Sequence, residues 1–209
     1  MSETGSVKFT CQQSLVETFE FAGFAELNAY RRKLIALGII GVDANGVSFG
    51  NLSVRDGATS RFYITGSATG GISELRPSDC ARVVAYDFNG NWLQCEGSRV
   101  ASSESLTHAA VYELDPTVFS VIHGHDLQLW SDLLNKAPTT RKGIEYGTPE
   151  MAYEVRRLFN DTELKSRKIF VMSSHEGGVV SFGKNVEEAF RVIAGNADGE
   201  KLKAKTLKR

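Results

Sequence analysis

The stretch ASSESLTHAAVYELDPTVFSVIHGHD, residues 101–126, decides how the chain is read. It carries three of the four histidines, His108, His123 and His125. His123 and His125 stand two apart at the end of an apolar, β-branched run. Side chains two apart on a strand point to the same face, so both imidazoles can reach one point, as two nitrogen ligands of one metal ion must. Upstream, Ser102-Ser103-Glu104 opens a helix that Asp115-Pro116 closes. Glu104 and His108, four apart, share a face of that helix. A helix feeding directly into a strand that ends in two histidines brings carboxylate and imidazoles close together.

The last histidine, His175, follows the apolar segment Lys168–Ser173 (KIFVMS), again where a strand leaves a sheet, and precedes Glu176-Gly177-Gly178. Two strand histidines alone can be satisfied by hydrogen bonds in a core. A third at another strand end makes a set of three imidazoles with room for water or substrate, a catalytic divalent-metal arrangement whose usual occupant is zinc. Glu104 reads either as a first-turn carboxylate favoured by the helix dipole, or as a general base near the metal or a displaceable fourth ligand. His108 reads as a core residue behind the site rather than a ligand.

Apolar spacing predicts a helix from Leu15 to a stop at Gly38. Strand-like segments follow at Val47–Arg55, Arg61–Thr65, Arg82–Phe88 and Trp92–Cys95, the last two joined by the hairpin signal Asn89-Gly90-Asn91. The run Thr65-Gly66-Ser67-Ala68-Thr69-Gly70-Gly71 is too rich in glycine for a regular element. Helices are expected over Asp126–Asn135, from the cap Thr148-Pro149-Glu150 to Phe159, and after Asn185. Gly178–Phe182 reads as a strand. The expectation is one α/β domain over residues 1–209, a mainly antiparallel sheet covered by helices, with a loose arm at 1–13 and a basic, polar tail at 198–209.

Bulk composition narrows the function classes. The 209 residues are 42% hydrophobic and 23% charged with a net charge of -1, which suggests neither a nucleic-acid nor a membrane partner. No apolar run approaches the ~20 residues of a membrane span, and the N-terminus lacks a signal-peptide core. The three cysteines, Cys11, Cys80 and Cys95, are odd in number and far apart, against both a disulfide framework and a thiolate metal site. The chain reads as cytoplasmic.

Ser102-Ser103-Glu104 with His108, then His123-Gly124-His125, then His175 two before a glycine, resembles the class II aldolase/adducin family. Gly50-Asn51-Leu52-Ser53-x-Arg55, Ile64-Thr65-Gly66-Ser67 and Tyr146-Gly147-Thr148-Pro149-Glu150 agree, so the likeness runs from about residue 25 to 195. It implies a three-layer α/β/α fold and a homo-oligomer, commonly a tetramer, acting on a small-molecule substrate. By resemblance, His123, His125 and His175 hold Zn2+ (or Mn2+ or Co2+), and Glu104 is the acid/base, bound to the metal when the site is empty. Asn51, Thr65, Gly66, Ser102 and Ser103 cradle a substrate phosphate. Hydroxyls and amides at a helix start suit that task. The implied reaction is aldolase-like cleavage of a ketose phosphate or related hydroxy-ketone through a metal-stabilised enediolate. Dehydration and epimerisation share that chemistry, and an adducin-like interaction module is the non-catalytic alternative. In one respect the chain departs from the sugar-phosphate aldolases. The segment DLQLWSDLLNKAPTTRKGIE after His125 is short and lacks the tyrosine that serves there as proton donor to a neighbouring subunit's site; Tyr146 and Tyr153 lie beyond it.

Overall fold

The computed structural model describes residues 8–17 and 20–206. In chain order the elements are β1 (Thr10–Ser14), α1 (Phe24–Ala36), β2 (Gly41–Val42), β3 (Ser48–Phe49), β4 (Asn51–Arg55), β5 (Phe62–Thr65), β6 (Cys80–Asp87) and β7 (Trp92–Glu96). Then come α2 (Ser105–Leu114), β8 (Ser120–His125), α3 (Leu127–Leu133), α4 (Pro149–Asp161), α5 (Leu164–Arg167), β9 (Ile169–Val171), β10 (Gly178–Gly183) and α6 (Val186–Thr206). Eight strands form one sheet in the order β1-β7-β6-β5-β4-β8-β10-β9. Every pairing in it is antiparallel except β1 with β7. β2 and β3 make a separate two-residue hairpin. The expected mixed fold with a mainly antiparallel sheet is the one observed.

Local chemistry sets the helix limits. The left-handed Gly38 ends α1: its amide donates to the Ile35 carbonyl, and the Ile39 amide reaches back to Leu34. Asp126 caps α3 by accepting from the Leu129 amide at 2.8 Å. Thr148 caps α4, with Pro149 at its first position. Asn185 accepts from the Glu188 amide at 2.8 Å where α6 begins.

The pleat sorts side chains into two cores. Val121, Val180, Phe62, Ile64 and Val83 face α2 and α4. Ile122, Leu52, Val179 and Val171 face α1, α3 and α6. Both cores are apolar and fully covered, so the domain is three layers with the sheet in the middle. His123 and His125 continue the Val121 row and therefore point to the α2 side.

Several expectations are corrected. The arm at 1–13 is not loose where it is described: Thr10–Ser14 is an edge strand on β7, and Phe9 is buried in the core; residues 1–7 lie outside the described residues. The helix expected from Leu15 begins only at Phe24. The strand expected over Val47–Arg55 breaks at Gly50, whose φ of 76° turns the chain between β3 and β4. At the other end, α6 runs into the basic segment as far as Thr206, in keeping with its reading as a basic, polar tail.

Gly124 is the tightest position. A Cβ there would stand 2.2 Å from Ile39 Cγ2, because α1 and its exit loop press directly on β8. The Ile39 carbonyl also accepts from the His125 amide at 2.9 Å. Only glycine lets β8 run under that loop with histidines on either side. Gly124→Ala should therefore cost about 1–3 kcal/mol of stability by overpacking, read from urea midpoints; an unchanged midpoint would contradict this packing.

Candidate functional site

Three elements deliver three imidazoles to one point. β8 supplies His123 and His125 from one face. β10 pairs with β8 so that Gly178 stands opposite His125, and the turn from β9 into β10 folds His175 back over that pair. A Cβ on Gly178 would sit 2.6 Å from the His175 ring, so the turn closes only with glycine there. His123 Nε2 lies 3.0 Å from His125 Nε2, which lies 2.9 Å from His175 Nε2. Candidate ligand atoms of the three residues all fall within 4.8 Å of one another.

Protons alone do not satisfy this cluster. His125 Nε2 faces two other ring nitrogens and carries at most one hydrogen in a neutral ring. Burial lowers the His125 pKa to about 4 and the His175 pKa to about 3, and holds His123 well below the ordinary value, with its two neighbours adding to the effect. All three rings are therefore neutral at pH 7, with their Nε2 atoms crowded on one point. Nitrogens bound to one tetrahedral zinc ion at about 2.05 Å are spaced by about 3.3 Å, within a few tenths of the two short contacts. The donor set thus fits a divalent cation.

Glu104 occupies the cap position of α2 rather than its first turn, and Ser102 and Ser103 lie in the turn before it. Its carboxylate is buried, with Oε1 3.9 Å from His175 Nε2, too long for a hydrogen bond. Thr107 donates to Oε2 at 2.7 Å, whereas Oε1 has no hydrogen-bond partner. Burial is the main cause that raises its pKa to about 7, against the opposing pull of Thr107 and the Lys8 charge. A half-titrated buried carboxyl beside a metal-type cluster can accept and return a proton at neutral pH. His108 is placed behind the site. Its Nδ1 bonds Ser53 Oγ at 2.7 Å, Ser53 Oγ also bonds Tyr112, and burial lowers the imidazole to about 3.

Ser48, Phe49, Gly50, Asn51, the loop 66–70, Ser102, Ser103, Glu104, Tyr146 and the three histidines line one cleft. Four of the five expected anion-binding residues are there: Asn51, Gly66, Ser102 and Ser103. Asn51 stands opposite His123 across the β4–β8 pairing, and its buried Oδ1 has no partner. Thr65 is the exception. It follows Ile64, which faces α2, so the pleat turns it to the other face, where its hydroxyl accepts from the Leu52 amide at 3.3 Å. Gly66 borders the cleft, but its amide donates to the Asp79 carbonyl at 2.8 Å, so it provides space rather than a donor.

The loop carries residues that sequence reasoning did not assign: Ser67, Ala68, Thr69 and Gly70. Ala68 is left-handed at φ 59°, a conformation that bends the loop around the cleft. Behind it, buried Arg31 of α1 donates to the carbonyls of Thr69 (2.6 Å), Ile72 (2.5 Å) and Gly70 (3.4 Å). Asn28 exchanges two hydrogen bonds with the Leu75 backbone. A cation buried on the carbonyl side of a loop fixes it and adds positive potential to the cleft. Tyr146, also unassigned, is buried with its ring 4.5 Å from that of His175, and the Lys8 ammonium lies 4.4 Å from its centre. Tyr153 is exposed and bonds Asn89, far from the cleft.

The family model for "Class II Aldolase and Adducin N-terminal domain" matches residues 43–195. The chain belongs to that family. Among solved class II aldolase folds it is similar to an L-fuculose 1-phosphate aldolase at 22% identity and TM-score 0.64, over 92% of this chain and 90% of that one. It is similar also to a sugar-phosphate aldolase from Thermotoga maritima at 17% identity and TM-score 0.65, over 88% and 94%. The L-fuculose-1-phosphate aldolase from Thermus thermophilus matches at 18% and TM-score 0.62, over 88% and 93%. No curated protein sequence matches the chain. Among the described residues no helix is long and apolar enough to cross a membrane.

The buried class II aldolase histidines make the metal-free protein acid-sensitive. His108, His125 and His175 titrate in the fold near 3, 4 and 3, and His123 well below its ordinary 6.5, the value each regains on unfolding. Below 6.5 the unfolded chain binds protons that the fold excludes, so stability falls with pH and continues to fall towards 4. Glu104, raised in the fold, acts in the opposite sense between about 7 and its ordinary 4.5, offsetting one of the four. Urea midpoints of metal-free protein should drop steadily from about pH 7 to about pH 5; a flat profile would contradict the neutral, buried placement of these rings.

Proposed function

We propose that the protein is a divalent-metal-dependent lyase of the aldolase type, acting on a small ketose phosphate or a related hydroxy-ketone. The convergence of three neutral imidazoles beside an unpartnered Glu104 oxygen is the observation that carries this reading. His123, His125 and His175 are the proposed ligands, with Glu104 as the added ligand when no substrate is bound. Zinc suits the nitrogen set best, with manganese or cobalt as substitutes. When bound, such an ion supplies Lewis-acid stabilisation of negative charge on substrate oxygens.

The chain's own groups do the rest. Glu104 takes a proton from the substrate carbon or hydroxyl and returns it, which its raised pKa permits near neutral pH. Ser102, Ser103 and Asn51 hold the phosphate against the 66–70 loop, and Arg31 keeps that loop in place from behind. Shielding by Tyr146 and Phe49 keeps the proton on Glu104 rather than losing it to water. Dehydration or epimerisation through the same enediolate is the second reading, because the short segment after His125 lacks the tyrosine that serves the sugar-phosphate aldolases as proton donor. The proposal includes a homotetramer in a reducing, cytoplasmic compartment; three free thiols agree with such a compartment.

Purified protein should hold about one divalent ion per chain, and His123→Ala should lose it. Elemental analysis that finds no ion after reconstitution with zinc, cobalt or manganese would favour a non-catalytic interaction module. Glu104→Gln should retain the ion but slow deuterium exchange into dihydroxyacetone phosphate by about 100-fold or more. Undiminished exchange in that variant would remove Glu104 from the base role.

A further inference from the structure

Two of the three cysteines, 84 residues apart in sequence, meet in the fold. β1 lies parallel to β7, with Cys11 opposite Leu93 and Gln13 opposite Cys95, so the two cysteines sit diagonally on one face. Their Sγ atoms are 3.4 Å apart and share a hydrogen bond. The Ala101 backbone, at the start of the turn that carries Ser102 and Ser103 into the cleft, favours the thiolate form of both. We infer that Cys11 and Cys95 form a redox modification site, a dithiol that a small-molecule disulfide such as oxidised glutathione converts into a cross-link between β1 and β7.

The geometry favours closure. A disulfide holds its sulfurs at about 2.05 Å, so the pair must approach by little more than an ångström, and β1, the edge strand, can shift with its side chain to meet β7. Cys11 is half-buried at the sheet edge and meets the reagent; Cys95 lies fully inside. Their shared hydrogen bond lowers Cys95 to about 7 and raises Cys11, so one proton serves two sulfurs at neutral pH. Cys11 passes its proton to the Cys95 thiolate as it attacks the reagent, and one small thiolate leaves. Cys95 then attacks Cys11 Sγ and expels the second. One S–H bond and one thiolate are consumed and one protein S–S bond forms. The reagent's S–S bond breaks, and its sulfurs take up the two electrons, one proton from the protein pair and a second from water. Cys80, fully buried beside Arg31 at the start of β6, is the internal control.

The cross-link also bears on the cleft. β1 follows directly from Lys8, which pairs with Glu145 at 2.8 Å and covers Tyr146. Fastening β1 to β7 holds that ammonium at the cleft. The inference stands on the thiol geometry alone and is independent of the proposed reaction.

Incubating the whole native protein with oxidised glutathione should lower its mass by about 2 Da, leave one free thiol on denaturation, and be reversed by dithiothreitol. The product should melt about 5 °C or more above the reduced protein, since the bond closes a long loop. Peptide mapping should join Cys11 to Cys95, and Cys80→Ser should close as readily. Cys11→Ser and Cys95→Ser should abolish the mass loss while keeping the reduced protein's circular dichroism. Three thiols persisting, or a stable glutathione adduct on Cys11, would overturn the inference.

Discussion

Three imidazole nitrogens held close together in a buried cleft are the constraint on which the rest of the site depends. A neutral ring whose Nε2 faces two others has one hydrogen or one lone pair to meet both, and the charged forms are excluded by burial. The fold imposes the arrangement through backbone devices. The pleat puts His123 and His125 on one face, the antiparallel register sets the β9–β10 turn over them, and Gly124 and Gly178 remove the Cβ atoms that would block it. Such a cluster has a physical purpose if a cation completes it.

Around that point the molecule divides the work. The sheet and one turn provide nitrogens; the start of α2 and the 66–70 loop provide hydroxyls and backbone. The carboxylate of Glu104 sits where the two halves meet, with one oxygen tied to Thr107 and the other unpartnered. Behind the 66–70 loop, Arg31 is buried against carbonyl oxygens rather than a carboxylate. Breaking those bonds would strand a charge in the core, so the loop is rigid at its base. Membership of the class II aldolase and adducin family agrees with this division, while the exact reaction rests on the chemistry of the cleft.

The convergence of His123, His125 and Glu104 is legible in the sequence because period-two and period-four spacing are local. His-x-His on an apolar run fixes two side chains on one face, and a helix feeding that strand brings its own start near the strand's end. The place of Thr65 in the cradle comes from resemblance, and spacing alone cannot check it, because the face of β5 that meets α2 depends on pairing with β4 and β6. Tyr146, Lys8 and Arg31 lie beyond its reach for a related reason. They come to the cleft through a loop, an edge strand and a helix whose contacts span 29 to 138 residues of sequence. The parallel pairing of β1 with β7 is likewise non-local, and a polar, glycine-containing terminus gives no sign of it. Several helix ends are readable, since caps such as Thr148-Pro149 and Asp126 act within one turn.

The central claim is that one cation joins these three rings. Zinc-edge X-ray absorption of the reconstituted protein tests it most directly. The account predicts a first shell of nitrogen and oxygen at about 2.0–2.1 Å, with multiple scattering from three imidazoles. A shell dominated by sulfur at about 2.3 Å, or one with fewer than two imidazoles, would contradict it.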